Sequence, residues 1–193
     1  MDDLLRHLAG GDRRSIGQSA RVVGGVLRQP SLFATVIDGL ANADPLIRMR
    51  CADVAEKVSR PHPEWLHPHK AVLLALAART TEQEARWHLA QMLPRLMLTP
   101  AETRRVITRL LEYLDDDSQI VKTFAMQALA DFAERDRALR RKVLPLLGRL
   151  TLTGSPAMRS RGRRLVARLR GRTRSQAGIQ QAAETPGFPR SRE

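Results

Sequence analysis

The sequence has little of the chemistry that crosslinks a chain or anchors it in a membrane. It holds one cysteine, Cys51, so no second thiol exists for an internal disulfide. No apolar run approaches the roughly 18 residues that suggest a membrane span. The first residues, MDDLLRHLAGG, carry two acids where a secretory signal carries positive charge. We therefore expect a reduced, cytoplasmic protein that does not bind a membrane.

Aromatic residues are also scarce, at 4% of the chain, although hydrophobic residues reach 42%. That balance is low for a β-sandwich or a barrel and is typical of packed helices rich in alanine and leucine. A chain of 193 residues is long enough for one domain, or for one short repeat array with a tail.

Catalytic motifs are missing as well. The chain has no glycine-rich phosphate loop, no Gly-x-Ser-x-Gly and no HExxH. His62, His67 and His69 cluster in a proline-rich segment, but a metal site needs a fourth ligand in fixed geometry, and Cys51 falls in a predicted packed helix. We expect a polar loop with Trp65 against the helices, no cofactor, no metal ion and no enzymatic activity.

What the chain does have is an internal repeat with a spacing of 32 to 38 residues. The residues 6, 7 and 10 places after each anchor are all apolar or alanine, and these offsets form one stripe along a helix. The anchors are Ile16, Arg48, Arg86, Lys122 and Arg159. A second apolar segment precedes each anchor, so each repeat predicts a pair of helices.

Five helix pairs are predicted, at residues 2–28, 31–60, 67–97, 100–135 and 137–170. Asp44-Pro45 places an N-cap before a proline at the first helical position, and Thr99–Glu102 forms a capping box. A second box is predicted at Thr81–Glu84. The two prolines of Arg60–Trp65 break a helix, which predicts a longer loop between repeats. Pro94 and Pro145 are each expected to kink the helix that contains it.

The segment DPLIR (Asp44–Arg48), followed by Cys51, Ala52 and Ala55, resembles the turn and second helix of a HEAT repeat. The segment DSQIVKTFAMQAL (117–129) resembles the same unit. The resemblance covers residues 1–170 and implies an all-α, right-handed α-α solenoid of the armadillo type. It also implies a scaffold or adaptor, with the second helices on the inner curve. Residues 171–193 have little to bury, and we expect a flexible tail.

The net charge of +13 comes from one part of the chain. Residues 1–136 hold 18 basic and 18 acidic residues, whereas residues 137–174 hold 13 basic residues and no acid. The second helix of the last pair and the segment that follows it carry eight arginines: Arg159, Arg161, Arg163, Arg164, Arg168, Arg170, Arg172 and Arg174. They predict a patch that binds anions. The alternative is a solvated cap on the last repeat.

The positions 2, 5 and 9 places after each anchor form a row along the second helices. This row extends the prediction towards the earlier repeats. Its basic members include Arg161, Arg164 and Arg168 in the last repeat and Arg50, Lys57 and Arg95 in the earlier ones, and Arg60 extends the predicted surface beside them. We expect a non-enzymatic module that binds an acidic protein surface, with nucleic acid as the alternative partner. The oligomeric state stays open. The resemblance also leaves room for an alkylpurine DNA glycosylase of the HEAT-like type, for which Trp65, Trp87, Asp53 and Asp131 supply the residue types.

Overall fold

The computed structural model describes residues 3–11 and 17–184, with side chains as far as residue 171. These residues form ten α-helices joined by turns, and no strand occurs among them. The all-α class is therefore confirmed. The helices are α1 (Asp3–Arg6), α2 (Ser19–Arg28), α3 (Phe33–Asp38), α4 (Pro45–Val58), α5 (Lys70–Arg79), α6 (Gln83–Met92), α7 (Pro100–Glu112), α8 (Gln119–Arg135), α9 (Arg137–Thr153) and α10 (Pro156–Glu184).

Odd-numbered helices correspond to the first helix of each predicted pair, and even-numbered helices to the second. The chain divides into two compact units, residues 1–129 and residues 130–193, and α8 crosses the division. Within the described residues, no helix is both long enough and apolar enough to cross a membrane.

The stripe predicted from the repeat is buried in every second helix. In α4, Val54, Ala55 and Val58 have no solvent exposure. Among the described positions 6, 7 and 10 places after the anchors, only Val23 and Val166 are partly exposed. The anchor Ile16 itself lies outside the described residues. Burial of apolar area is the main favourable term in folding, so this stripe defines the core of each unit.

Helix starts follow their predicted caps in two cases. The Asp44 carboxylate accepts a hydrogen bond from the Leu46 amide at 2.8 Å, and Thr99 and Glu102 form both bonds of a capping box. The box predicted at Thr81–Glu84 is wrong. Glu82 is the N-cap residue of α6, and its carboxylate forms an ion pair with the guanidinium of Arg48 instead of capping the helix.

The prolines at three sites refine the prediction or differ from it. The loop predicted at Arg60–Trp65 is shorter than expected, because a 3-10 helix covers Pro63–His69 and uses proline at its first position. Pro94 ends α6, which continues as the 3-10 turn Leu93–Arg95. Pro145 lies inside α9. A proline supplies no amide hydrogen, so regular α-helical bonding is lost where it sits.

The anchor arginines join successive repeats within residues 1–129. Arg48 pairs with Glu82 and also donates to the carbonyl oxygens of Asn42 and Ala43, at 2.6 and 2.9 Å. Arg86 pairs in the same way with Asp116. Arg48 and Arg86 therefore each bind an acid that lies just before the second helix of the next repeat.

Residues 130–193 contain the end of α8 together with α9 and α10. Buried Val143 and Leu147 of α9 and buried Leu165 and Leu169 of α10 supply its apolar core. Arg140 is also buried, and it donates to the backbone carbonyls of residues 133 and 134 at 3.0 and 2.7 Å. These bonds fix the turn between α8 and α9.

The last helix continues past residue 171, where the sequence places the start of a tail. α10 ends at Glu184, so residues 171–184 are helical. The flexibility expected of residues 171–193 stays a prediction, and residues 185–193 lie outside the described part of the chain.

Arg50 is the largest side chain with almost no solvent exposure, at 1%. Its guanidinium donates to the carbonyl oxygens of Leu8 and Gly10 at 2.8 and 2.6 Å. A Cβ at Gly17, where φ is +54°, would lie 2.9 Å from the guanidinium carbon. Glycine at this position therefore lets the backbone pass close to Arg50 in a left-handed conformation.

The substitution Arg50→Met should lower the free energy of unfolding by about 2–3 kcal/mol, because two carbonyl groups lose a buried donor. Urea unfolding followed by far-ultraviolet circular dichroism measures the change. Arg28→Met is the matched control, since Arg28 is exposed, and it should change stability by less than about 0.5 kcal/mol. Equal midpoints for the two variants would contradict the structural role of Arg50.

Candidate binding surfaces

The predicted binding row on the second helices is largely occupied by internal contacts in residues 1–129. Arg50 lies inside the protein, as described above. Lys57 binds the Asp53 carboxylate at 2.7 Å, one turn earlier in α4. Arg60 and Arg95 both bind Glu56. All four basic residues thus lie on α4 or beside it. Each of them binds a group within the chain.

Glu56 is the centre of the densest of these networks. Its carboxylate is 1% exposed and accepts hydrogen bonds from Arg60 at 2.6–3.0 Å and from Arg95 at 2.6 Å. Arg95 also donates to the backbone carbonyl of Glu56 and to the hydroxyl of Ser59, both at 2.8 Å. Burial favours the neutral acid, but the bonds from both arginines outweigh it and hold the pKa of Glu56 below its usual value.

His88 lies on α6 beside this network and is 7% exposed. Burial lowers its pKa to about 4, although Asp53 and Glu56 oppose that change. Lys57 and Arg60 act in the same direction as burial. The Nδ1 atom of His88 has no hydrogen-bond partner in the described part of the chain. His88 is therefore a neutral ring near pH 7.

Trp87 is partly buried and contacts residues of two repeats. Its ring meets Phe124 edge-on at 6.2 Å between centroids and His88 edge-on at 5.1 Å. The indole Nε1 is buried and unpaired within the described residues. Trp65 stacks on His62 at 4.3 Å, far along the chain from Trp87.

The histidines of the proline-rich segment contact different groups. His62 stacks on Trp65, His69 meets Phe33 edge-on at 5.8 Å, and the His67 Nε2 lies 3.4 Å from the carbonyl oxygen of Arg95. Among the described residues, no cluster of three or more His, Cys, Asp or Glu side chains has the arrangement of a metal site. Burial raises the pKa of Cys51 to about 12, so this thiol is protonated and poorly nucleophilic.

The arginines of α10 form two rows on opposite sides of its buried face. Arg159, Arg163 and Arg170 lie at i, i+4 and i+11, and all three are exposed. Arg161, Arg164 and Arg168 lie at i, i+3 and i+7 on the other side. The side chains of Arg172 and Arg174, also predicted for this patch, lie outside the described part of the chain.

The arginines of α10 differ in whether a carboxylate neutralises their charge. Arg168 binds both Asp131 and Glu134, at 2.6 and 2.9 Å. Arg161 is half-buried, and its pKa is lowered first by burial and then by the neighbouring charge of Arg164, against the pull of Asp131. By contrast, Arg159, Arg163, Arg164 and Arg170 have no carboxylate partner among the described residues.

Helix α9 adds basic residues that the sequence prediction did not assign to the site. Arg141, Lys142 and Arg149 are exposed, whereas Val143 and Leu147 face the core. The spacing of the apolar residues in α9 could have identified this outer face. Residues 130–171 together carry twelve basic residues and three acidic ones, a net charge of +9.

Comparisons with known proteins leave the family open. No family model matches the chain, and no curated protein matches it. One similar solved structure is the crystal structure of an engineered protein, with 12% sequence identity and a TM-score of 0.59. The match covers 88% of this chain and 78% of that one. At this identity the likeness concerns the helical fold alone.

The substitution His88→Gln should flatten the pH dependence of stability. Between about pH 7 and about pH 5 the unfolded chain protonates this histidine, whereas the folded chain, with a pKa of about 4, does not. The free energy of unfolding of the parent should therefore fall by about 2 kcal/mol over this window as pH decreases. Urea unfolding at several pH values measures the slope.

The matched control is His62→Gln, because the His62 side chain is 40% exposed and lies outside the core. This control should keep the pH dependence of the parent. A parent whose stability is the same at both ends of the window would contradict the assignment of a buried, neutral His88.

Proposed function

We propose that this chain is a non-enzymatic, HEAT-like repeat protein that binds an acidic protein surface through α9 and α10. The right-handed solenoid implied by the HEAT resemblance belongs to this proposal. Two findings support the repeat: a buried stripe in each second helix, and anchor arginines that bind the next repeat. The binding proposal depends chiefly on the four α10 arginines that have no carboxylate partner among the described residues.

Exposure and spacing support a docking role for this surface. Arg159, Arg163 and Arg170 extend along about 16 Å of one side of α10, at 1.5 Å per residue. Clustered guanidinium groups attract acidic partners and bind carboxylates in a forked geometry. The exposed arginines and lysine of α9 enlarge the same positive field. A cap on the last repeat needs polar side chains, but it does not need charges of a single sign.

The composition of this surface favours an acidic protein over nucleic acid. Leu152, at the end of α9, is 78% exposed and offers apolar area of the kind that protein interfaces bury. Phe132 is the one aromatic residue of positions 130–171, and it is buried. Bases of a single strand would therefore find no ring on which to stack.

The triple variant Arg159→Glu, Arg163→Glu and Arg170→Glu should weaken binding of labelled polyglutamate by about tenfold or more, because three attractive contacts become repulsive. Fluorescence anisotropy at physiological salt measures the affinity. The control is Arg6→Glu, Arg21→Glu and Arg28→Glu, three exposed arginines of residues 1–129 with the same change in charge. This control should bind polyglutamate within about threefold of the parent.

A mixed-sequence DNA duplex serves as the competing probe. The proposal expects the duplex to bind no more tightly than polyglutamate at physiological salt. The contrary outcome is tighter binding of the duplex, with an affinity that falls steeply as the salt concentration rises and a weaker salt dependence in the triple variant. That outcome would identify nucleic acid, and not an acidic protein, as the partner. Equal polyglutamate binding by the triple variant and the parent would refute the surface altogether.

A further inference from the structure

A groove of about 660 Å³ lies between α5 and α7, within residues 1–129. Ala77, Leu93 and Val106 are buried at its floor, and exposed alanines of α5 line one wall. The volume falls in the range of about 300–1,000 Å³ that ligand-binding clefts show. None of these residues belongs to the basic surface of α9 and α10.

Polar contacts join α5 and α7 at both ends of the groove. Near the start of both helices, Lys70 binds Glu102 at 3.0 Å. Near the end of both helices, the Arg109 guanidinium donates to the backbone carbonyl of Ala78. The two helices are thus parallel and fixed at their ends, while the alanine side chains between these contacts are too short to fill the gap. The groove is a built feature with a defined width.

Helix α5 presents apolar side chains to solvent as well as to the core. Its sequence, KAVLLALAAR, contains no acid, and Val72 is 50% exposed. Ala71, Ala75 and Ala78 are exposed on the side that faces the groove. A second groove, of about 350 Å³, lies on the other side of α5 and shares Ala71 and Ala75 with the first. A helix that is apolar on all sides is normally covered by other elements. The exposed outer face of α5 is not covered by any of the described residues.

The charge around the groove is positive. Glu102 is engaged by Lys70, and Glu112 by Arg109 at 2.6 Å. Exposed Arg104 and Arg105 line the α7 wall and have no carboxylate partner among the described residues. A partner that covers the apolar floor would therefore bring the borders of its apolar surface close to the guanidinium groups of Arg104 and Arg105. Acidic side chains along those borders would complement the positive charge.

We propose that the groove between α5 and α7 docks an amphipathic helix of a partner protein, with carboxylates along the edges of its apolar face. Large apolar side chains of that helix fill the space over Ala71, Ala75 and Ala78. Glutamates or aspartates beside them bind Arg104 and Arg105. This site is separate from the proposed surface of α9 and α10 and does not depend on it.

The shape of the groove favours a helix over other occupants. Two parallel helices with a gap between them form a surface on which a third helix packs, and small side chains allow the backbones to approach closely. Helix α5 spans ten residues, or about 15 Å, so the groove accommodates nearly three turns of a partner helix. A DNA duplex would reach the arginines but would leave the apolar floor uncovered.

The test uses the full chain labelled with ¹³C at its alanine methyl groups, because three exposed alanines report on the groove directly. The probe is a synthetic helical peptide with a leucine stripe flanked by glutamates, and the control peptide carries lysines in place of the glutamates. We expect the glutamate peptide to shift the signals of Ala71, Ala75 and Ala78. It should bind at least tenfold more tightly than the lysine peptide at physiological salt.

Two variants separate the apolar and the charged parts of the site. Ala75→Glu places a charge over the floor and should weaken the glutamate peptide at least tenfold, whereas Ala20→Glu, at an exposed alanine of α2, should not. The pair Arg104→Glu and Arg105→Glu should reverse the preference between the two peptides. The triple variant of α10 should leave the alanine shifts unchanged, which keeps this proposal distinct from the proposed function.

Three results would overturn the proposal. The first is no shift of the three alanine signals at about millimolar peptide. The second is loss of glutamate-peptide binding in the α10 triple variant together with unchanged binding in the Ala75→Glu variant. The third is concentration-dependent shifts of the same alanines without peptide, removed by Ala75→Glu, which would assign the groove to a second copy of this chain.

Discussion

The burial of one apolar stripe in each second helix determines where the charged side chains can lie. Val54, Leu93, Leu129 and Leu169 are all essentially inaccessible to water, so residues on the flanks of the stripe are also drawn inwards. A charged group on such a flank must find a partner, because an unpaired buried charge costs far more than a stripe residue contributes. Arg50 meets this requirement with backbone carbonyls, and Glu56 meets it with two arginines.

The two units differ in how far they can meet this requirement with acids. Residues 1–129 contain enough acids to pair most of their inward-facing bases, and Arg86 and Asp116 are an example in which the pair also joins neighbouring repeats. Residues 137–171 contain no acid at all. Among the described residues, Asp131 and Glu134 at the end of α8 both bind Arg168 of α10. Arg159, Arg163, Arg164 and Arg170 are left to solvent or to a partner.

The helix pairs were largely predictable from the sequence because they depend on local signals. A repeated apolar spacing, an N-cap at Asp44 and a capping box at Thr99 each act within a few residues. Contacts between distant residues were not predictable. Arg50 and Arg161 occupy the same place in their repeats, yet only Arg50 is enclosed by a glycine-containing loop. The capping box at Thr81 was wrong because the N-cap residue of α6 is Glu82, one position later, and Glu82 binds Arg48 from more than thirty residues earlier. The groove beside α5 was not predicted, because it depends on how α5 and α7 pack against each other.

A surface with charges of one sign is costly to maintain. Arg161 illustrates the cost, because burial and then the neighbouring Arg164 both disfavour its charged form. Glutamates interspersed among the arginines of α10 would keep the last helix solvated and would remove this repulsion. A solvated cap alone therefore does not explain why acids are missing from residues 137–171. The proposed recognition of an acidic surface would explain it, since every acid added to α10 would compete with the partner for the guanidinium groups.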